Sequence, residues 1–95
     1  MSMEEGSISI RKLKIQNERG LHARASAKFV GVAGGFDTEI LVSKDGTEVV
    51  GTSIMGLMML AAAKGDVVTL KGNGELGRSA IDALELLIDD KFGED

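Results

Sequence analysis

The chain contains no cysteine, no proline, no tryptophan and no tyrosine, and only one histidine. Without cysteine there is no disulfide framework and no thiolate metal site. A single histidine is too few for a His-rich zinc site, and neither a metal nor a cofactor is expected. Aromatic residues are limited to three phenylalanines, and the formal net charge is −4. Nucleic-acid binders carry a basic face and, for single strands, stacking rings, so nucleic acid is not an expected partner. No apolar run approaches the ~18 residues of a membrane-spanning helix, and no membrane association is expected. The segment Met1–Ser7 is acidic and lacks the apolar stretch of a secretory signal. Residues 1–7 are expected to form a disordered tail and the protein to be cytoplasmic. With no proline, turns must rest on glycine, asparagine and aspartate, and 13 glycines are available.

What is present suits one domain over residues 8–95, with 43% apolar and 27% charged residues. Leu13 and Ile15 alternate with Lys12 and Lys14, the pattern of a half-buried strand over Ile8–Ile15. Ile8 and Ile10 fall in the opposite phase, which predicts a bulge or a strand start near Ile10. Gln16–Gly20 reads as a loop. A helix follows over Ala23–Ala33, with Ser26, Phe29, Val30 and Ala33 on one face, and Gly34-Gly35 ends it. Thr38–Ser43 and Thr47–Val50 read as strands joined by a hairpin at Asp45-Gly46. Ser53 is placed to cap a short helix over Ile54–Ala62, in which Gly56 is unfavourable by about 1 kcal/mol. Leu57, Leu60 and Ala61 are predicted to face the core. A strand over Val67–Lys71, a turn at Gly72-Asn73-Gly74 and a helix over Glu75–Lys91 complete the order βαββαβα. The last helix has an apolar stripe of Ala80, Ile81, Leu84, Leu87 and Ile88, with Asp82, Glu85 and Asp89 outward. Asp90, Glu94 and Asp95 fall near its negative end, where acidic groups are unfavourable, with no role suggested beyond solubility. Three one-sided helices can cover one face of a four-stranded sheet, giving a two-layer α+β domain.

The stretch Gly20-Leu21-His22-Ala23-Arg24 carries the chemistry that the rest of the sequence lacks. A neutral imidazole is a good nucleophile near neutral pH, and a helix N-terminus disfavours a cation beside it. The same helix end offers free N–H groups to a phosphate. Arg24 adds a rigid fork of donors for phosphate oxygens. One segment thus supplies a nucleophile, an anion cradle and a counter-charge. From residue types alone, an ordinary loop histidine beside a helix start fits the same pattern.

Gly20-Leu21-His22-Ala23-Arg24 followed by Ala27-Lys28-Phe29-Val30 resembles the phosphorylation motif of HPr, the histidine phosphocarrier family of the bacterial phosphoenolpyruvate-dependent phosphotransferase system. Ser53-Ile54-Met55-Gly56-Leu57-Met58-Met59-Leu60 resembles that family's regulatory-serine segment, and the similarity covers Ile8 to Phe92. The resemblance implies an open-faced sandwich with a four-stranded antiparallel sheet of order 1-4-2-3 and three helices on one face. It implies that His22 accepts a phosphoryl group from enzyme I, on Nδ1 of the ring, and passes it to an enzyme IIA protein or domain. Arg24 would contact the phosphoryl group. Ser53 would be a regulatory site for an HPr kinase/phosphorylase. The protein would be a monomer serving sugar uptake or a regulatory branch, a carrier and not a stand-alone catalyst. Many members have proline directly after the arginine where this chain has Ala25; that substitution removes no donor and costs roughly 0.4–1 kcal/mol through the unfolded chain.

A short helix on one sheet cannot bury every side, which leaves Ile54, Met55 and Met58 for a partner, and methionine surfaces adapt to several partners. Arg19 and Lys28 are candidates for steering an acidic partner towards His22. The rival reading is a regulatory binding module of the same fold, controlled through Ser53 and transferring no phosphate.

Overall fold

The computed structural model describes residues 7–94. Strands β1 (Ile8–Lys14), β2 (Ile40–Lys44), β3 (Thr47–Val50) and β4 (Val67–Asn73) form one antiparallel sheet of order β1-β4-β2-β3. Helices α1 (Ala23–Ala33), α2 (Ile54–Met59) and α3 (Gly74–Asp89) follow β1, β3 and β4. A single 3₁₀ turn, Lys91–Gly93, comes after α3. Of the expected tail over residues 1–7, only Ser7 lies among the described residues, and its carbonyl accepts from the Gly74 N–H at 2.8 Å.

The inward side chains of the sheet, Leu13, Val42, Val68 and Leu70 among them, share one core with Phe29, Leu57, Ile81 and Leu84 of the helices. On the open side of β1, Ile8, Ile10, Lys12 and Lys14 are exposed. The predicted bulge is absent. Residues Ile8 to Lys14 pair without a skip against Asn73 to Val67, so Ile8 and Ile10 simply occupy the uncovered face of the strand. Asp45 and Gly46 both have positive φ, 51° and 84°, as a two-residue hairpin turn of the right-handed twist requires.

Other boundaries differ from the sequence reading as well: β2 runs over Ile40–Lys44 and not Thr38–Ser43. Strand β4 runs on through Gly72 and Asn73, because Gly72 is a contact point with Gly77 of α3 and not a turn residue. A Cβ on Gly77 would lie 2.6 Å from the Gly72 carbonyl carbon, so bare backbone lets α3 sit directly on β4. Helix α2 stops at Met59, short of the predicted Ala62. The N–H groups of Leu60 and Ala61 bond three residues back, and Ala61 turns left-handed at φ 53°. That turn leaves Ala61 exposed and buries Ala62 in its place. Helix α3 stops at Asp89 and does not reach Lys91; the chain then hooks back towards α1.

Candidate functional site

The loop between β1 and α1 is built to deliver His22. Gly20 sits at φ +64°, a conformation that a side chain disfavours, and a Cβ there would lie 2.2 Å from the Ala62 carbonyl oxygen. The close approach lets the Leu21 N–H donate to that oxygen at 2.9 Å. Leu21 is buried, and its own carbonyl accepts from the Ser26 hydroxyl at 3.1 Å. His22 is therefore held between the end of α2 and the first turn of α1.

His22 is itself the N-cap of α1. Its backbone is extended, and its carbonyl accepts the first intrahelical bond, from the Ser26 N–H at 2.8 Å. The ring's Nδ1 accepts from the Arg24 N–H at 3.1 Å, so the imidazole does the work usually given to serine or aspartate. The N–H groups of Ala23, Arg24 and Ala25 precede the intrahelical ladder and point towards the same end. An anion placed at Nδ1 would meet these donors and the positive end of the helix.

The other ring nitrogen has a partner that the sequence did not suggest. Nε2 lies 2.5 Å from Oε2 of Glu94, and the two side chains are only 15% and 17% exposed. The second carboxylate oxygen, Oε1, accepts from Asn17 Nδ2 at 3.0 Å, and that amide also donates to the Gly20 carbonyl at 2.9 Å. These contacts hold the Glu94 carboxyl below the usual carboxylate range, with the Asn17 hydrogen bond the larger cause and His22 the next. At the negative end of a helix Glu94 has no expected role beyond solubility; the hook after α3 places it against His22 instead. Lys91, Phe92 and Gly93 take left-handed φ values of 55°, 55° and 75° in succession. Such φ values in a lysine and a phenylalanine cost on the order of 1 kcal/mol or more each. Complete burial of Phe92 offsets this by about 1.5–3 kcal/mol, and Lys28 Nζ donates to the Phe92 carbonyl at 2.7 Å.

The remaining candidates divide. Arg24 is exposed, and its guanidinium has no hydrogen-bond or ion-pair partner among the described residues, which leaves it available to an incoming anion. Lys28 is committed to the hook through Phe92. Arg19 is exposed and helps hold the Glu94 carboxylate ionised. Ser53 caps α2, its Oγ accepting from the Gly56 N–H at 2.9 Å. Gly56 is explained by crowding, since a Cβ there would come within 3.0 Å of both Ser53 Oγ and Val49 Cβ. Ile54, Met55 and Met58 are exposed as the sequence suggested, and Met59, not singled out there, is the most exposed of the group at 75%.

Asn17 and Glu94 were missed for a physical reason. Asn17 lies in a loop segment with no periodicity, and Glu94 lies 72 residues from His22. The one local signal is Gly93, since a glycine after a helical run marks a change of chain direction.

A family model described as the PTS HPr component phosphorylation site matches residues 10–90. A phosphocarrier protein HPr from Cupriavidus necator is 49% identical over 84 residues, which is 88% of this chain and 94% of the relative. An HPr from Neisseria meningitidis serogroup A is 51% identical over 82 residues, 86% of this chain and 92% of the relative. Among solved structures, an HPr from Thermoanaerobacter tengcongensis superposes with a TM-score of 0.86 at 44% identity, covering 92% of this chain and 98% of that one.

Proposed function

Because the chain belongs to the HPr family and is a phosphocarrier of the phosphotransferase system, we propose that His22 is the residue that bears the phosphoryl group. The observation that carries this is the placement of His22 as the cap of α1, with Nδ1 facing the N–H of Arg24. When Nδ1 takes a phosphoryl group, the Arg24 N–H is released from the ring and becomes a donor to a phosphoryl oxygen. Partners in the system include an enzyme I donor and an enzyme IIA acceptor. Arg24 supports the charge of the phosphoryl group, and Arg19 contributes positive charge beside it. The rival reading, a module that binds without transferring, is not favoured, since the matched family and relatives are phosphocarriers. The relay runs in the cytoplasm, and the carrier works as a monomer. Size-exclusion chromatography with light scattering checks that last point.

Docking falls on the exposed face of α2. Ile54, Met55, Met58 and Met59 are all exposed there. Met55 is 72% exposed, so Met55→Glu should leave the melting temperature within a few degrees of the parent and slow transfer from enzyme I by about tenfold. Stopped-flow transfer beside a thermal melt tests this; normal transfer by the variant removes Met55 from the interface.

Ser53 is the site at which an HPr kinase would regulate the carrier. Its hydroxyl already faces the N-terminus of α2, where a phosphate is tolerated, and it lies next to the docking residues Ile54 and Met55. Ser53→Ala should cost about 1 kcal/mol of stability through the lost cap. Ser53→Asp should keep the cap and still slow transfer from enzyme I, by adding negative charge beside the contact surface. Equal transfer rates for the parent and Ser53→Asp would contradict a regulatory role.

A further inference from the structure

We propose that Glu94 is a positioning residue for phosphoryl transfer: it fixes the proton of His22 on Nε2 and so presents Nδ1 as the bare acceptor. The inference rests on His22 being the carrier residue, but its structural part can be tested without phosphate.

Two contacts on opposite edges of the ring lead to the same tautomer. A backbone N–H can only donate, so Nδ1, 3.1 Å from the Arg24 nitrogen, must carry a lone pair in that bond. An ionised carboxylate can only accept, so Nε2, 2.5 Å from Glu94, must carry the proton. Glu94 is suited to this as glutamine is not. Its two oxygens each receive a different donor, Nε2 of His22 and Nδ2 of Asn17, and a glutamine side chain has one acceptor oxygen to meet both. The carboxylate is in turn fixed in place: Asn17 is wholly buried, Phe92 anchors the hook, and Lys28 clamps the Phe92 carbonyl.

The same carboxylate offsets charge during transfer. The Nδ1 lone pair forms the N–P bond as the bond from phosphorus to the donor breaks, and that bonding pair leaves with the donor. The ring keeps its proton on Nε2 and becomes formally cationic. Glu94 faces that proton and compensates the new positive charge, while the α1 N-terminus and Arg24 meet the negative charge of the phosphoryl group on the other edge. At metal sites, where a ligating histidine is oriented through its second nitrogen in the same way, removing that partner costs about 10- to 100-fold, and a loss at the lower end of that range is expected here.

The test uses the whole chain as parent and as Glu94→Ala, Glu94→Gln and Glu94→Asp variants. Nitrogen-15 NMR of the imidazole, recorded without phosphate, should show a single Nε2–H tautomer in the parent and a mixture in Glu94→Ala. With phosphoenolpyruvate and enzyme I, the maximal rate of phosphoryl acceptance should fall about tenfold in Glu94→Ala and Glu94→Gln. The concentration of enzyme I giving half-maximal rate should stay unchanged, and Glu94→Asp should recover part of the loss. Glu94→Gln has nearly the parent shape, and a thermal melt recorded beside the transfer assay separates any folding effect from a loss of transfer. A parent ring already mixed in tautomer, or Glu94→Ala and Glu94→Gln accepting phosphate at or above the parent rate, would overturn the proposal. A clean NMR result with phosphate found on another residue would overturn the carrier assignment instead and leave the tautomer assignment standing.

Discussion

His22→Ala will lose phosphoryl acceptance by at least about 10³-fold, since removing the nucleophile of a group-transfer site leaves only the binding elements behind. Among the described residues no other imidazole exists to replace it, and the chain contains no second histidine. The fold will survive. The side chain also caps α1 through Nδ1, so its loss should cost about 0.5–2 kcal/mol. The ring lies on the surface side of the core and not within it, so no large cavity follows. Glu94 keeps its bond to Asn17, and the hook keeps buried Phe92. Circular dichroism should therefore report a folded protein with a melt lowered by several degrees, while transfer from enzyme I is gone. A variant that relays phosphate at the parent rate would take His22 out of the chemistry.

Gly20→Ala will be among the most damaging single-methyl changes in the chain, and it will damage stability and transfer together. Gly20 lies at φ +64°, which costs an alanine about 1–2 kcal/mol. The added carbon would also sit 2.2 Å from the Ala62 oxygen and 2.9 Å from the Ala63 Cα, both backbone atoms that cannot rotate away. Relief requires the Gly20-Leu21 segment to part from the end of α2, which breaks the bond from Leu21 to Ala62. The total should be roughly 2–4 kcal/mol, the range of overpacking combined with backbone strain. The melting temperature should drop by about 10 °C or more. Transfer should fall as well, because the same junction ties the segment that carries His22 to the end of α2. Gly65→Ala is the control. Gly65 has φ +93° but no atom within 4 Å of the added carbon, so it should show the strain without the clash and a smaller loss. Equal effects of the two substitutions would show that the junction does not carry the load assigned to it.

The element order, the start and end of α1, the Asp45-Gly46 hairpin and the cap at Ser53 were all legible locally, because each depends on residues within a few positions of one another. The sheet order 1-4-2-3 came from the family resemblance and not from periodicity. What the sequence could not show was long-range. Ile8 and Ile10 looked out of phase because half-burial was assumed to favour the apolar side, whereas this sheet leaves isoleucines on its open face. Gly72 looked like part of a turn, and Gly77 carried no signal at all; only the approach of two backbones reveals why they lack side chains. The turn that follows α2 presents the Ala62 carbonyl to Leu21, a partner from a distant part of the chain. His22 and Arg24 were found because their chemistry is written in one short segment. Glu94 and Asn17 were not, because their meaning depends on a hook of three left-handed residues that no pattern of hydrophobicity encodes.

The most direct measurement is to phosphorylate the purified protein with phosphoenolpyruvate and enzyme I, then locate the group by peptide mass spectrometry and phosphorus NMR. The account predicts one acid-labile, base-stable phosphoryl group on His22, attached at Nδ1. A phosphoryl group at Ser53 or any other residue, or on Nε2 of the ring, would contradict it.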